Sequence, residues 1–170
     1  MVRLRPPAVL RLAVVLAAAL AGCRSHDPKT ELEITELETY WILDAPKGGI
    51  QYMAPAIRFR VKNRSPEPMR SIQATANFRR VGEEENWGSA WEQVTPASKP
   101  LEPGKDVVVV LRSDGRYTSP GTAESMFAHK LFKDARSEIF LRAGSSGWVK
   151  MGEAPIERRV GSKTVEQLDR

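Results

Sequence analysis

The reactive inventory of this 170-residue chain is small: one cysteine, two histidines and 21 acidic side chains. Cys23 holds the only thiol, so nucleophile, metal ligand and thioether carrier are all roles for that one position. Hydrolysis by a triad needs a nucleophile, a base and an orienting acid. His26 lies in the polar stretch after Cys23, far in sequence from any such set, and His129 has only Glu124 and Asp134 as sequence neighbours of suitable type. No Gly-x-Ser-x-Gly elbow occurs. Metal chemistry finds no His-x-x-x-His and no Asp-x-Asp loop, and Glu83-Glu84-Glu85 reads as a solvated run. Gly144, Gly147 and Gly152 punctuate hairpins rather than cradle phosphate. The expectation is a protein that is not an enzyme, with no metal and no cofactor.

Cys23 gains its meaning from what precedes it. Arg3, Arg5 and Arg11 make a basic start, Leu12 to Leu20 is uncharged and apolar, and Leu20-Ala21-Gly22-Cys23 follows. That order is a secretory signal peptide, and its apolar run falls well short of the roughly 20 residues a bilayer-spanning helix needs. Leu-Ala-Gly-Cys resembles the bacterial lipoprotein lipobox at every position. The resemblance implies a signal peptide over 1–22, cleavage before Cys23, a diacylglyceryl thioether on Cys23, and a protein held at the cell envelope by that lipid. Arg24 is not the aspartate that resembles an inner-membrane retention signal, which leans toward the periplasmic face of the outer membrane in a host with two membranes. Removing Arg3, Arg5 and Arg11 with the signal lowers the formal charge from +5 to +2. The basic balance therefore argues poorly for a nucleic-acid partner. No thiol is left for a disulfide, so the domain stands on its core alone.

Binding chemistry has two candidate sets. Arg58, Arg60 and Lys62 project from one side of a single strand and could meet anionic headgroups or polymers. Glutamates from neighbouring strands, such as Glu36 and Glu38, are the competing explanation. Trp87, Trp91, Arg116 and Tyr117 fall in or beside the two longest loops, Gly82–Gly88 and Asp114–Lys133. Exposed aromatics stack on sugars or anchor protein interfaces. Trp41 and Trp148 are expected in the core. If Trp87 and Tyr117 are contact residues, replacing both with alanine removes partner capture and leaves the fold intact.

The elements that position these residues are strands. Residues 32–43 open with alternation. In residues 56–62, Ile57, Phe59 and Val61 alternate with Arg58, Arg60 and Lys62; residues 71–79 place Ile72, Ala74, Ala76 and Phe78 on one face. Val107 to Leu111 reads as a central strand, with Val108 and Val110 inward beside Ile139 and Leu141. Further strands are expected at 90–95, 137–142, 148–151 and 156–160. Leu101-Glu102-Pro103-Gly104 is a turn with proline before glycine. Thr122 begins one or two helical turns within 120–133. Residues 23–31 read as the lipidated cysteine and its tether, residues 32–160 as one domain, and residues 161–170 as a flexible tail.

This pattern is all-β, with a small antiparallel barrel as the alternative to a sandwich. The run IRFRVKNRSPEPMRSIQATANFRR, followed by PLEPGKDVVVVL, resembles the immunoglobulin-like domains of small bacterial envelope proteins, including the FxLYD type. Val61 to Asn63, Phe78, and Leu101 to Gly104 carry the likeness. It implies an antiparallel immunoglobulin-like β-sandwich with one short helix and an envelope location. The functional expectation is a lipid-anchored, non-catalytic domain that binds another envelope component, a protein first and a carbohydrate such as peptidoglycan second.

Overall fold

Alternation along the strands decides which side chains meet between two sheets. The computed structural model describes residues 26–161. The strands are β1 (Leu32–Leu43), β2 (Gln51–Asn63), β3 (Ile72–Arg80), β4 (Gly88–Gln93), β5 (Asp106–Arg112), β6 (Tyr117–Ser119), β7 (Ala135–Ala143) and β8 (Val149–Pro155). Two short helices, α1 (Pro28–Glu31) and α2 (Ala123–Phe127), complete the elements. One sheet has the order β1-β2-β5, with β6 also paired to β2; the other has the order β4-β3-β7-β8. All strand pairs are antiparallel. Equivalent strands of an immunoglobulin-like sandwich divide in the same way, first, second and fifth against third and the last two.

The core is what the alternation requires. Ile57, Phe59 and Val61 from β2 face Ile72, Ala74, Ala76 and Phe78 from β3 and Ile139 and Leu141 from β7, all buried. β5 is out of phase with the sequence reading. Val109 and Leu111 are buried, whereas Val108 and Val110 are half-buried on the outer face. A run of valines carries no phase of its own. The pairing Phe59–Val109 sets it, because cross-strand partners share a face. β5 is also a margin of its sheet rather than a central strand.

The two halves of the Val-x-Asn and Leu-x-Pro-Gly pattern meet in space. Asn63 is fully buried, and its side-chain amide donates to the carbonyls of Glu67 and Leu101, both at 2.8 Å. Its Oδ1 accepts from Ser65 N–H at 2.9 Å. Its backbone donates to Lys105 O and accepts from Gly104 N–H, each at 2.9 Å. Gly104 has φ +73°, as the third position of a type II turn demands after Pro103. One asparagine thus ties the β2–β3 loop to the turn that launches β5.

Three boundaries differ from the sequence reading. The segment expected as tether is bound to the domain from His26 onward. Asp27 caps α1 by accepting from Lys29 N–H, Pro28 is buried, and Arg64 N–H donates to Glu31 O at 2.8 Å. The strands expected at 148–151 and 156–160 are one strand, β8, followed by a segment that crosses to the first sheet. There Trp41 N–H donates to Arg159 O and Gly161 N–H to Trp41 O, covering part of the β1 edge. Tyr117–Ser119, expected within the loop Asp114–Lys133, is the strand β6, paired with Gln51–Met53 of β2.

The strands separate two poles. α1, the β2–β3 loop, the β4–β5 loop and the β7–β8 loop lie at the pole where the described chain begins. The β1–β2 hairpin, the β3–β4 loop and the long 113–134 connection lie at the opposite pole.

Candidate functional site: the loop pole

Trp41, near the end of β1, is the seed of this pole. Its ring is fully buried and meets Trp87 at 6.2 Å, Tyr117 at 5.9 Å, Phe127 at 6.1 Å and Phe132 at 5.3 Å between centroids. None of the pairs is parallel; tilted and edge-on contacts suit the ring quadrupole. Thr122 caps α2 by accepting from Ser125 N–H, which aims Met126 and Phe127 inward. Two turns then carry the chain to Phe132, with His129 N–H donating to Met126 O and Phe132 N–H to His129 O. Tyr117 Oη accepts from Lys133 N–H at 3.2 Å and donates to Lys133 O at 3.1 Å, fastening the far end of the loop to β6.

Between these elements lies a half-open cavity of about 290 Å³, lined mainly by Tyr117, Pro120, Met126, His129, Leu131 and Phe132. Leu131 stands at its rim, 70% exposed. Trp41 Nε1 is buried with no hydrogen-bond acceptor among the described residues. An orphaned buried donor costs about 1–3 kcal/mol.

Charges around the cavity are already paired. Glu83 takes hydrogen bonds from Lys133 and Arg80, each at 2.7 Å, and Lys133 foremost holds its carboxyl below the usual range. Arg158 forks onto Asp134 at 2.7 and 2.9 Å, holding that carboxyl low as well, and lies over the Phe132 ring at 5.2 Å. Arg158 Nη1 also donates to Phe127 O at 3.2 Å, so the segment after β8 clamps the loop through this one side chain. His129 Nδ1 accepts from Leu131 N–H at 3.2 Å, and no ion pair engages the ring among the described residues. Among the described residues, no three His, Cys, Asp or Glu side chains gather as a metal ion requires. The arrangement offers apolar contact surface and a cavity the size of one or two side chains.

The sequence-selected residues divide among several places. Trp87 and Tyr117 come together, 4.8 Å apart at 44°, but both are half-buried against Trp41. Removing both therefore opens the core, contrary to the expectation that the fold survives intact. Trp91 is 57% exposed and belongs to the outer face of the β4-β3-β7-β8 sheet. The three rings form no common platform: Trp87 and Tyr117 pack on Trp41, whereas Trp91 lies on the outer face of the second sheet. Arg116 is exposed and lies over the Tyr52 ring at 5.2 Å, in a neighbouring cleft. Trp148 is 40% exposed rather than core, with the Arg142 guanidinium 4.9 Å from its ring.

The basic strand is largely answered by its neighbours. Arg60 bonds Asp106 at 2.6 Å and Glu36 at 2.7 Å, and Arg58 lies 3.5 Å from Glu38. Lys62 is exposed beyond them. His26 is bonded to Glu31 at 2.7 Å. Cys23 lies outside the described residues.

Lys47, Tyr52 and Arg112 carry no signal in the sequence reading, and the four-residue spacing of Phe127 with Leu131 and of Ala128 with Phe132 points there only to a helix, not to a site. Lys47-Gly48-Gly49-Ile50 did hold a legible signal. Both glycines have positive φ, 58° and 77°, as the two-residue I′ hairpin requires.

The chain matches no protein-family model. A search of the curated proteins finds no match either.

Proposed function

We propose that this chain is a lipid-anchored lipoprotein of the cell envelope whose sandwich binds another envelope component, without catalysis, through the loop pole. The observation that carries the reading is polarity. The described chain begins at one pole, and the exposed Leu131, the cavity and the long 113–134 connection occupy the other. Cys23 precedes the bound His26 by only three residues, about 10 Å of chain at most. β2 alone spans 13 residues, roughly 43 Å at ~3.3 Å each. A lipid on Cys23 would hold one pole at the bilayer and present the other tens of ångströms away. For a host with two membranes the proposed location is the periplasmic face of the outer membrane.

A protein partner is favoured, because the pole offers an exposed leucine beside a side-chain-sized cavity. The second reading is a carbohydrate such as peptidoglycan. It draws on the outer face of the second sheet, where Trp91 and Phe140 flank Thr75 in one cross-strand row.

Two experiments test the proposal. Cys23→Ser should move the protein out of the membrane fraction, since serine cannot carry the thioether and the acyl chains of a lipoprotein anchor stably. Membrane retention with palmitate labelling of Cys23→Ser would sink the anchor. For the binding pole, a photo-crosslinker at Leu131 should capture a protein in intact cells, and one at Arg64 should not. Adducts from Arg64 alone, or loss of glycan retention in Trp91→Ala with no adduct at Leu131, would move the site.

A further inference from the structure

Beside the aromatic cluster, at the same pole, lies a cleft of about 520 Å³ lined by Asp44, Ala45, Lys47, Tyr52, Arg112 and Arg116. Its charge is unbalanced: three cations face one carboxylate. Asp44 is committed to Arg112, whose Nη2 donates to Asp44 Oδ2. Arg112 Nε is buried with no acceptor among the described residues, and no side-chain hydrogen bond engages Nη1 there. Arg116 is exposed, its guanidinium 5.2 Å from the Tyr52 ring centroid. Stacking fixes the plane and leaves the edge N–H groups of an arginine free to donate. Lys47 sits at the first position of the Gly48-Gly49 hairpin, where the paired backbone bonds to Ile50, both 3.0 Å, hold it at the lip of the cleft.

What sets the cleft apart is that three cations converge on it and only Arg112 meets a carboxylate there. Arg60, Arg80 and Arg158 each carry a carboxylate partner at 2.6–2.7 Å. At Lys47 and Arg116 no ion pair occurs among the described residues. A charge excess of two positive units matches a phosphate group, which carries about −1.5 to −2 at neutral pH. The forked donors of two arginines fit its oxygens.

We propose that the cleft formed by Lys47, Arg112 and Arg116 is a phosphate-binding site. The ligand is a phosphate, free or esterified. This deepens the reading of the loop pole as the binding end. The cleft lies at the pole away from the start of the described chain, so the headgroups of the bilayer that would hold Cys23 are not its natural source.

The test is a titration of the full mature chain in non-ionic detergent, reading the Nε–Hε resonances of Arg112 and Arg116. Inorganic phosphate and glycerol phosphate should each shift them saturably, and acetate should bind more weakly. The tighter of the two phosphates tells whether the natural ligand is the free ion or an ester. Arg116→Ala and Lys47→Ala, both at exposed positions, should each weaken phosphate binding by roughly tenfold. Arg64→Ala, at the other pole, should leave it unchanged, and added salt should weaken it through screening. Absence of saturation, equal affinity for acetate, or full affinity in the Arg116→Ala, Lys47→Ala double variant would overturn the site. Crosslinking from Leu131 is read in cells and does not depend on phosphate, so either result can fail without the other.

Discussion

Replacing Asn63 tests whether one buried amide ties two loops together. Its side chain satisfies three groups: the carbonyls of Glu67 and Leu101 and the N–H of Ser65. Asn63→Ala leaves these without their partner in a site from which the asparagine itself is fully shielded. Each orphaned buried group costs about 1–3 kcal/mol. The Glu67 carbonyl also accepts from Ser65 Oγ at 2.7 Å and the Leu101 carbonyl from Met69 N–H at 2.9 Å, so each keeps one partner. The one remaining group, Ser65 N–H, implies a loss of about 1–3 kcal/mol. Asn63→Asp should be worse at neutral pH. Its carboxylate can accept from Ser65 N–H but faces two carbonyl oxygens with no proton to donate. That environment raises the carboxyl pKa, so the added penalty shrinks as pH falls and the acid becomes neutral. Urea unfolding followed by tryptophan fluorescence at several pH values measures both effects. A loss below 1 kcal/mol for Asn63→Ala, or an Asn63→Asp penalty that grows on acidification, would refute the account.

Phe59→Ala, at a fully buried ring, should cost about 3–5 kcal/mol in the same assay. Trp87→Ala should cost about 2–3 kcal/mol through lost packing on Trp41, while the exposed Trp91→Ala should stay within about 0.5 kcal/mol of the parent; equal effects would contradict the assigned faces. Glu138 and Asp134 are held below the usual carboxyl range by hydrogen bonds from Lys150 and Arg158. A depressed carboxyl adds stability above its unfolded pKa of about 4 and loses it as pH falls. Urea midpoints should therefore decline in acid, and the decline should be shallower in an Arg158→Ala, Lys150→Met double variant; an unchanged acid limb would show that these pairs contribute nothing.

By itself the sequence determined most of the strands, the sheet-forming alternation and the turn chemistry, but neither β6 nor the extent of β8. Ile57–Val61 and Ile72–Phe78 announce their buried face because polar residues mark the other one. Pro103-Gly104 and Thr122 announce a turn and a cap because their backbone needs are local. Glu36 and Glu38 answer Arg60 and Arg58 because cross-strand neighbours follow from pairing. The Asn63 network needed the fold: its partners at residues 101–105 are remote in sequence, and only pairing brings them to one pole. Phase in Val107–Leu111 was also beyond the sequence, because an all-apolar run looks alike on both faces until β2 fixes its register. The same holds for the aromatics. Trp41, Trp87, Tyr117, Phe127 and Phe132 are scattered along the chain, and the sequence cannot say which ring is wrapped by the others. Trp91 is exposed because of the side of β4 it leaves from, a matter of register, and Trp148 lies in the loop just before β8. The cleft of Lys47, Arg112 and Arg116 joins a hairpin to the end of a distant strand, and charge converges there because antiparallel pairing brings those chain ends to one pole.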